Sequence, residues 1–317
     1  MQFIQGKLTL VKRWIKILSR RNCVAVQQGE GKIYSRDKIL GYYNDLTGKV
    51  NKNTILDSNG IPINIIANGK KVYFPISIFQ YALGLWDLYL LTNEEKRKLE
   101  FFKQCEWIIA NQKENGSWDC FGPIGYSNYS VSSMGQGEAI SVLLRAYEIT
   151  GEQRWLESAK QAINFMCISV DEGGTLFVKD NNYYFEEYPD KNCEKHAVLN
   201  GWIFSLFGIY DFLKINKDVR IENIYEKSLE TLKRNLISYD MGYWTYYDKS
   251  GRIASPAYHN LHVALLNTLS EITNETYFKK ISNKWKGYAK NNFYCFKAIT
   301  RKLIQKIHES PEGIIVQ

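Results

Sequence analysis

Residues 181–190, NNYYFEEYPD, place three tyrosines and two glutamates within six positions, closed by a proline. Carboxylates and phenols accept and donate protons, so the stretch is a candidate for acid–base work. Glu186, Glu187 and Tyr188 have natural companions further on, in Tyr246, Tyr247 and Tyr258. His259 and His262 follow at the i, i+3 spacing of a metal pair. With four histidines in the chain and no HExxH, a metal site is disfavoured. Each of these residues also has a structural reading. Paired glutamates on a loop are usually solvated. Tyr246 and Tyr247 are neighbours in a strand-like run, so one faces in and the other out. GQGEA (135–139) has two glycines but no GK[ST] ending. It is not a phosphate loop and reads as a turn opening an inner helix, where Gln136 would meet an anionic substrate group.

Four similar fragments define what must hold these residues. LYLLTNEEKRKLE, RAYEITGEQRWLE, YDFLKINKDVRIE and LSEITNETYFKK each join an apolar helix to a charged one through Asn93, Gly151, Asn216 or Asn274. The breaks are spaced by 58, 65 and 58 residues. Asn and Gly tolerate the left-handed conformation beyond a helix end. The first helix of each unit is apolar on most sides: Ile76–Leu91, Ala139–Ile149, Val198–Leu213 and Val263–Ile272. The second is amphipathic: Glu95–Asn111, Arg154–Cys167, Ile224–Leu236 and Tyr277–Lys290. Buried helices alternating with half-buried ones predict an all-α fold. Its architecture would be an α/α toroid of about four helical hairpins, with short β-hairpins in the rim loops. Three Gly- and aromatic-rich segments (115–130, 172–189 and 239–258) precede inner helices and so emerge on one rim.

Bulk properties narrow the class. With 45% hydrophobic and 23% charged residues the chain is globular, and no apolar run approaches the ~18 residues of a membrane span. The six cysteines, at 23, 105, 120, 167, 193 and 295, show no metal or disulfide spacing. No signal peptide is evident, so a cytoplasmic protein with reduced thiols is expected. The net charge of +8 favours an acidic partner. Leu10, Val11, Trp14, Ile17 and Leu18, set against Lys12, Arg13, Lys16, Arg20 and Arg21, read as an amphipathic helix. It either packs on the domain or lies on a membrane. The expected organisation is a basic segment (1–40), a barrel (41–292) and a basic tail (293–317).

SSMGQGEAISVLLRAY (132–147), EEYP (186–189), VLNGWIFSLFGIYD (198–211), YYD (246–248) and AYHNLHV (257–263) resemble the C-terminal domain of the D-glucuronyl C5-epimerases. YFPISIFQYALG (73–84) and WIIANQKENGSW (107–118) fit the same domain, so the collinear likeness runs from about residue 40 to 290. The resemblance implies an α/α barrel that converts glucuronate to iduronate within a glycan, without cofactor or metal. By motif, the family's catalytic positions fall on Glu187, Tyr188, Tyr247 and Tyr258. Two departures stand out. The β-sandwich that precedes the barrel in animal members is absent, and the arginines near two of those tyrosines are represented by the offset Lys249 and Arg252.

Inverting C5 requires removing a proton alpha to a carboxylate and returning one to the opposite face. The charge that develops on the carboxylate oxygens needs fixed donors or cations. Lys249, Arg252, Arg145, His259 and Asn200 are the candidates. A phenol near pKa ~10 is a poor base unless a cation lowers it, so Glu187 is an alternative base. Competing readings are a lyase acting on uronates by β-elimination, a non-catalytic glycan-binding toroid and, more weakly, a helical scaffold for protein partners. The substrate expected is an acidic polysaccharide or oligosaccharide, such as a capsule precursor, and not nucleic acid. The basic ends leave room for peripheral contact with the inner membrane face, and a homodimer is open.

Overall fold

The computed structural model describes residues 28–51, 53–66, 68–126, 130–190 and 196–308. The amphipathic segment expected at 10–21, and Cys23 and Cys193, lie outside the described residues.

Four antiparallel helical hairpins make an α/α toroid. Its inner helices are α1 (Pro75–Thr92), α3 (Ser133–Thr150), α5 (Leu199–Ile215) and α7 (Pro256–Thr273). Its outer helices are α2 (Glu95–Ala110), α4 (Gln153–Met166), α6 (Val219–Asn235) and α8 (Thr276–Lys290). A further helix, α9 (Asn292–His308), follows where a tail was expected. The inner helices are buried almost all round, and the outer ones along a single stripe such as Phe101, Gln104, Cys105 and Ile108 of α2. Proline at the first helical position starts α1 and α7, where its missing N–H is harmless.

Three breaks take the expected left-handed conformation: Asn93 (φ 56°), Gly151 (φ 69°) and Asn274 (φ 57°). Asn216 does not. It is extended (φ −131°), and Asp218 instead caps α6 by accepting from the N–H groups of Arg220 and Ile221. GQGEA is also not a turn, because Gly135 and Gly137 lie inside α3, which Ser132 caps. Gly137 serves helix packing. A Cβ there would fall 2.8 Å from Ser205 Cα, and α5 answers with Gly208, whose Cβ would fall 2.8 Å from the Gly137 carbonyl carbon.

Residues 28–50 form an irregular strap filling the interval between α1 and α7. On one side Tyr42 N donates to Asp87 Oδ1 (2.8 Å) and Trp86 Nε1 to Leu40 O (3.1 Å). On the other, Asn267 Nδ2 donates to Glu30 Oε2 (2.6 Å), Thr268 Oγ1 to Tyr43 O (3.1 Å), and Tyr34 OH to Glu271. The strap is continuous across position 40, where a boundary was expected. One core joins strap and helices, including fully buried Trp118, Trp155, Trp202, Trp244 and Trp285. The four cysteines among the described residues are free thiols.

The rim segments differ in form. Residues 122–124 make a single 3₁₀ turn. Strands β1 (Asn64–Ile65) and β2 (Lys71–Val72) lie before α1. In the second segment, β3 (Leu176–Lys179) and β4 (Asn182–Phe185) pair antiparallel. Their turn residues Asp180 and Asn181 both have positive φ, the geometry a two-residue hairpin prefers. The third segment is held by the isolated bridges Asp240–Thr245 and Tyr246–Ile253.

Candidate active site

Strand β4 delivers residues 186–188 to the gap between the N-terminal ends of α3 and α5. Glu186 N donates to Thr175 O (2.9 Å), and Ser133 N donates to Glu186 O (3.2 Å). Both glutamates are buried, contrary to the ordinary expectation for a loop pair. Glu186 is structural, since its carboxylate accepts the Ala197 N–H ahead of α5 (3.0 Å to Oε2).

Glu187 lies against Gly201, in the first turn of α5. A Cβ on Gly201 would sit 2.9 Å from the Glu187 Cβ and 3.1 Å from its carboxyl carbon. That glycine therefore makes the space the acid occupies. Glu187 Oε2 is buried with no hydrogen-bond partner among the described residues. Burial pushes the Glu187 carboxyl up to about 7, and the hydrogen bond from Tyr188 and the charge of Arg252 pull it only partly back.

Three acid–base groups run in series: Tyr247 donates to Tyr188, which donates to Glu187. Burial, reinforced by the nearby Glu187 charge, pushes both phenols well above their ordinary value. At neutral pH they are therefore protonated donors, while Glu187 is poised between its two forms. Tyr258, in the first turn of α7, meets the Tyr247 ring edge-on at 4.8 Å and is 41% exposed, open to an incoming ligand. The Arg252 guanidinium lies 5.3 Å from the Tyr247 ring centre and is ion-paired with the buried Asp248. Among the described residues it is the cation of the cluster. Phe121, from the first rim segment, is buried and packs on Tyr188 at 5.0 Å, backing that ring.

The structure thus brings together Glu187, Tyr188, Tyr247, Tyr258 and Arg252. Asn200 borders them. Among the described residues its Nδ2 reaches the Met134 sulfur alone (3.7 Å) and its Oδ1 is buried without a partner, leaving hydrogen-bonding capacity unused.

Four other expected contacts lie elsewhere. Gln136 Nε2 is spent on the carbonyls of Gly116 (3.1 Å) and Ala162 (3.2 Å), tying α3 to the scaffold. Arg145 is fully buried far along α3. It binds Asp211 Oδ2 (2.7 Å), Gly41 O (2.9 Å) and Ser141 O (2.8 Å), so it anchors the strap. His259 lies in the core, stacked on Trp244 at 3.8 Å, with ring nitrogens on Thr245 Oγ1 (2.9 Å) and Trp285 O (3.0 Å). Burial lowers it to about 4, so it is neutral at physiological pH and cannot serve as a cation. His262 is buried beside the same Thr245, and burial lowers it to about 3. Lys249 points outward to Asn235 Oδ1 (2.8 Å) and lies over the Tyr184 ring.

Sequence reasoning missed three groups. Phe121 was one aromatic among many in its loop. Asp248 lies inside the YYD motif, but its role as partner of Arg252 is visible only in space. Glu138, within GQGEA, is fully buried. It accepts from Gln80 Nε2 (2.9 Å), its Oε2 lacks a partner, and burial pushes it up to about 8.

The family description "D-glucuronyl C5-epimerase C-terminus" matches residues 115–287, a span that includes all five residues of the cluster. A D-glucuronyl C5-epimerase of Caenorhabditis elegans is 28% identical over 223 residues, covering 62% of this chain and 36% of that protein. An uncharacterized protein of Methanocaldococcus jannaschii is 34% identical over 155 residues, covering 48% of this chain and 50% of that one. The chain thus spans half or less of the length of these relatives. Among solved structures, a D-mannose isomerase shares the fold with a TM-score of 0.52 at 12% identity, over 81% of this chain and 71% of that one.

Proposed function

Because this chain belongs to the D-glucuronyl C5-epimerase family, we propose that it inverts C5 of D-glucuronate to L-iduronate within an acidic glycan. The observation that carries this reading is the series Tyr247–Tyr188–Glu187, with Tyr258 and Arg252 beside it, assembled from two rim segments and the start of α7.

The C5 hydrogen is alpha to the uronate carboxylate. In this mechanism Glu187 takes that proton, and the C–H bonding pair moves into the carboxylate as an enediolate. A base whose pKa lies near the working pH is the effective one, and burial has moved Glu187 there. The Arg252 guanidinium meets the growing negative charge on the carboxylate oxygens, while the protonated phenols Tyr188 and Tyr247 hold Glu187 in place. Tyr258, on a separate element, returns a proton to the other face. Its O–H bond breaks as the new C5–H bond forms; solvent then restores the phenol and takes up the proton held by Glu187. Asn200 holds the ring through a hydroxyl or carboxylate oxygen.

The test is incubation of the protein with an unsulfated glucuronate polymer in D2O, followed by NMR of C5. Deuterium at C5 with iduronate signals supports the proposal. An unsaturated product absorbing in the ultraviolet overturns it in favour of β-elimination. Binding without exchange overturns it in favour of a glycan-binding toroid.

A further inference from the structure

From Thr276 to His308 the chain contains eight lysines and one arginine, with no aspartate or glutamate. This run is α8 and α9. The inward face of α9 packs on the rim segment that carries Tyr246 and Tyr247. Ala298 is buried there, Gln305 Oε1 accepts from Ile253 N (2.9 Å), and Tyr294 meets Tyr243 at 6.1 Å. The outward face is unusual for a soluble surface. Phe293 is 69% exposed, Phe296 70% and Ile304 54%. With Thr300 they form one stripe, since 293, 296, 300 and 304 share a face at helical spacing, and Lys297 borders it with its ammonium over the Tyr243 ring at 4.1 Å. Exposed Lys286 and Lys290 lie on α8, while Arg301 of α9 donates to Tyr243 OH (3.4 Å).

We infer that the outer face of α9 docks on a lipid surface bearing anionic headgroups. A helix with exposed phenylalanines set among lysines, lying flat on its domain, matches an interfacial helix. Its apolar side chains enter the acyl boundary while the cations meet the headgroup charges. Charge complementarity selects this occupant. A second copy of this face would set like charges against each other. So would residues 1–27, which carry six cations and no acids. The inference is independent of the epimerase reading, because none of these residues belongs to the proton-transfer cluster.

The full chain is sedimented with vesicles of phosphatidylcholine alone, and with vesicles containing phosphatidylglycerol as well. Wild type is compared with Phe293→Ser/Phe296→Ser and with Lys286→Glu/Lys290→Glu, each checked by its thermal melt. The expected result is binding to the anionic vesicles only, weakened by salt. Both double variants should bind about tenfold or more weakly while melting as wild type does. Four results would each overturn the inference. One is undiminished vesicle binding by Phe293→Ser/Phe296→Ser. Another is equal binding to neutral vesicles. A third is a solution dimer that the same variant dissociates. The last is vesicle binding that appears only after removal of residues 309–317.

Discussion

Replacing Glu187 with glutamine tests the site through stability as well as activity. The carboxyl is buried against Gly201, and its folded-state value stands near 7 against an ordinary 4.5. Below pH ~4 the acid is protonated in both folded and unfolded chains, so wild type and Glu187→Gln should differ little. As pH rises from 4.5 toward 7, the unfolded chain releases the proton and the folded chain retains it. Wild type then loses stability relative to the variant. At about 1.4 kcal/mol per pH unit, the gap should reach about 3 kcal/mol by pH 8. Urea midpoints of the two proteins from pH 4 to pH 8 measure it, and the other titrating groups cancel in the difference. Over the same range, C5 exchange should fall about 100-fold or more in the variant. The wild-type rate should climb with pH through a value near 7. A pH-independent gap, a less stable variant at pH 8, or retained exchange would refute the assignment of Glu187 as a buried base.

Three more outcomes follow from the same geometry. Gly201→Ala places a methyl group against Glu187, so exchange should drop about tenfold or more, with a lowered melting temperature and unchanged far-ultraviolet circular dichroism. Tyr258→Phe alters a residue 41% exposed, so its unfolding free energy should change by less than about 0.5 kcal/mol while exchange falls about 100-fold and glycan binding persists. Asp211→Ala removes the carboxylate facing fully buried Arg145, so urea titration should show a loss of about 3–5 kcal/mol, although both residues lie far from the proton-transfer cluster.

The repeat was legible because apolar and amphipathic helices alternate and Asn or Gly marks all four breaks, three of which are left-handed. The helix starts were less so. α3 begins at Ser133 and α7 at Pro256, several residues before their apolar runs, because their first turns carry the polar and small residues that border the site. Glu187, Tyr188, Tyr247 and Tyr258 sit where rim segments meet helix N-termini, and chain order alone brings such points together. Arg145 shows the limit of motif proximity. It shares a sequence block with Gln136, yet at about 1.5 Å rise per residue it lies well over 10 Å further along the helix. His259 adjoins Tyr258, but neighbouring helical positions point in different directions, so one ring faces the mouth and the other faces Trp244. The strap had no signature at all, because an irregular segment whose partners are over 200 residues away carries no periodicity.

That strap governs how the molecule is made. Glu30, Tyr34 and Tyr43 find their partners at Asn267, Glu271 and Thr268. A ribosome delivers those partners only 225 to 237 residues after the strap residues they bind. Until then the circle is a horseshoe with an open seam, and the first-made portion waits beside unfinished walls. Completion should therefore be abrupt and late, with protease resistance acquired in one step once the last interior helix has emerged, rather than hairpin by hairpin.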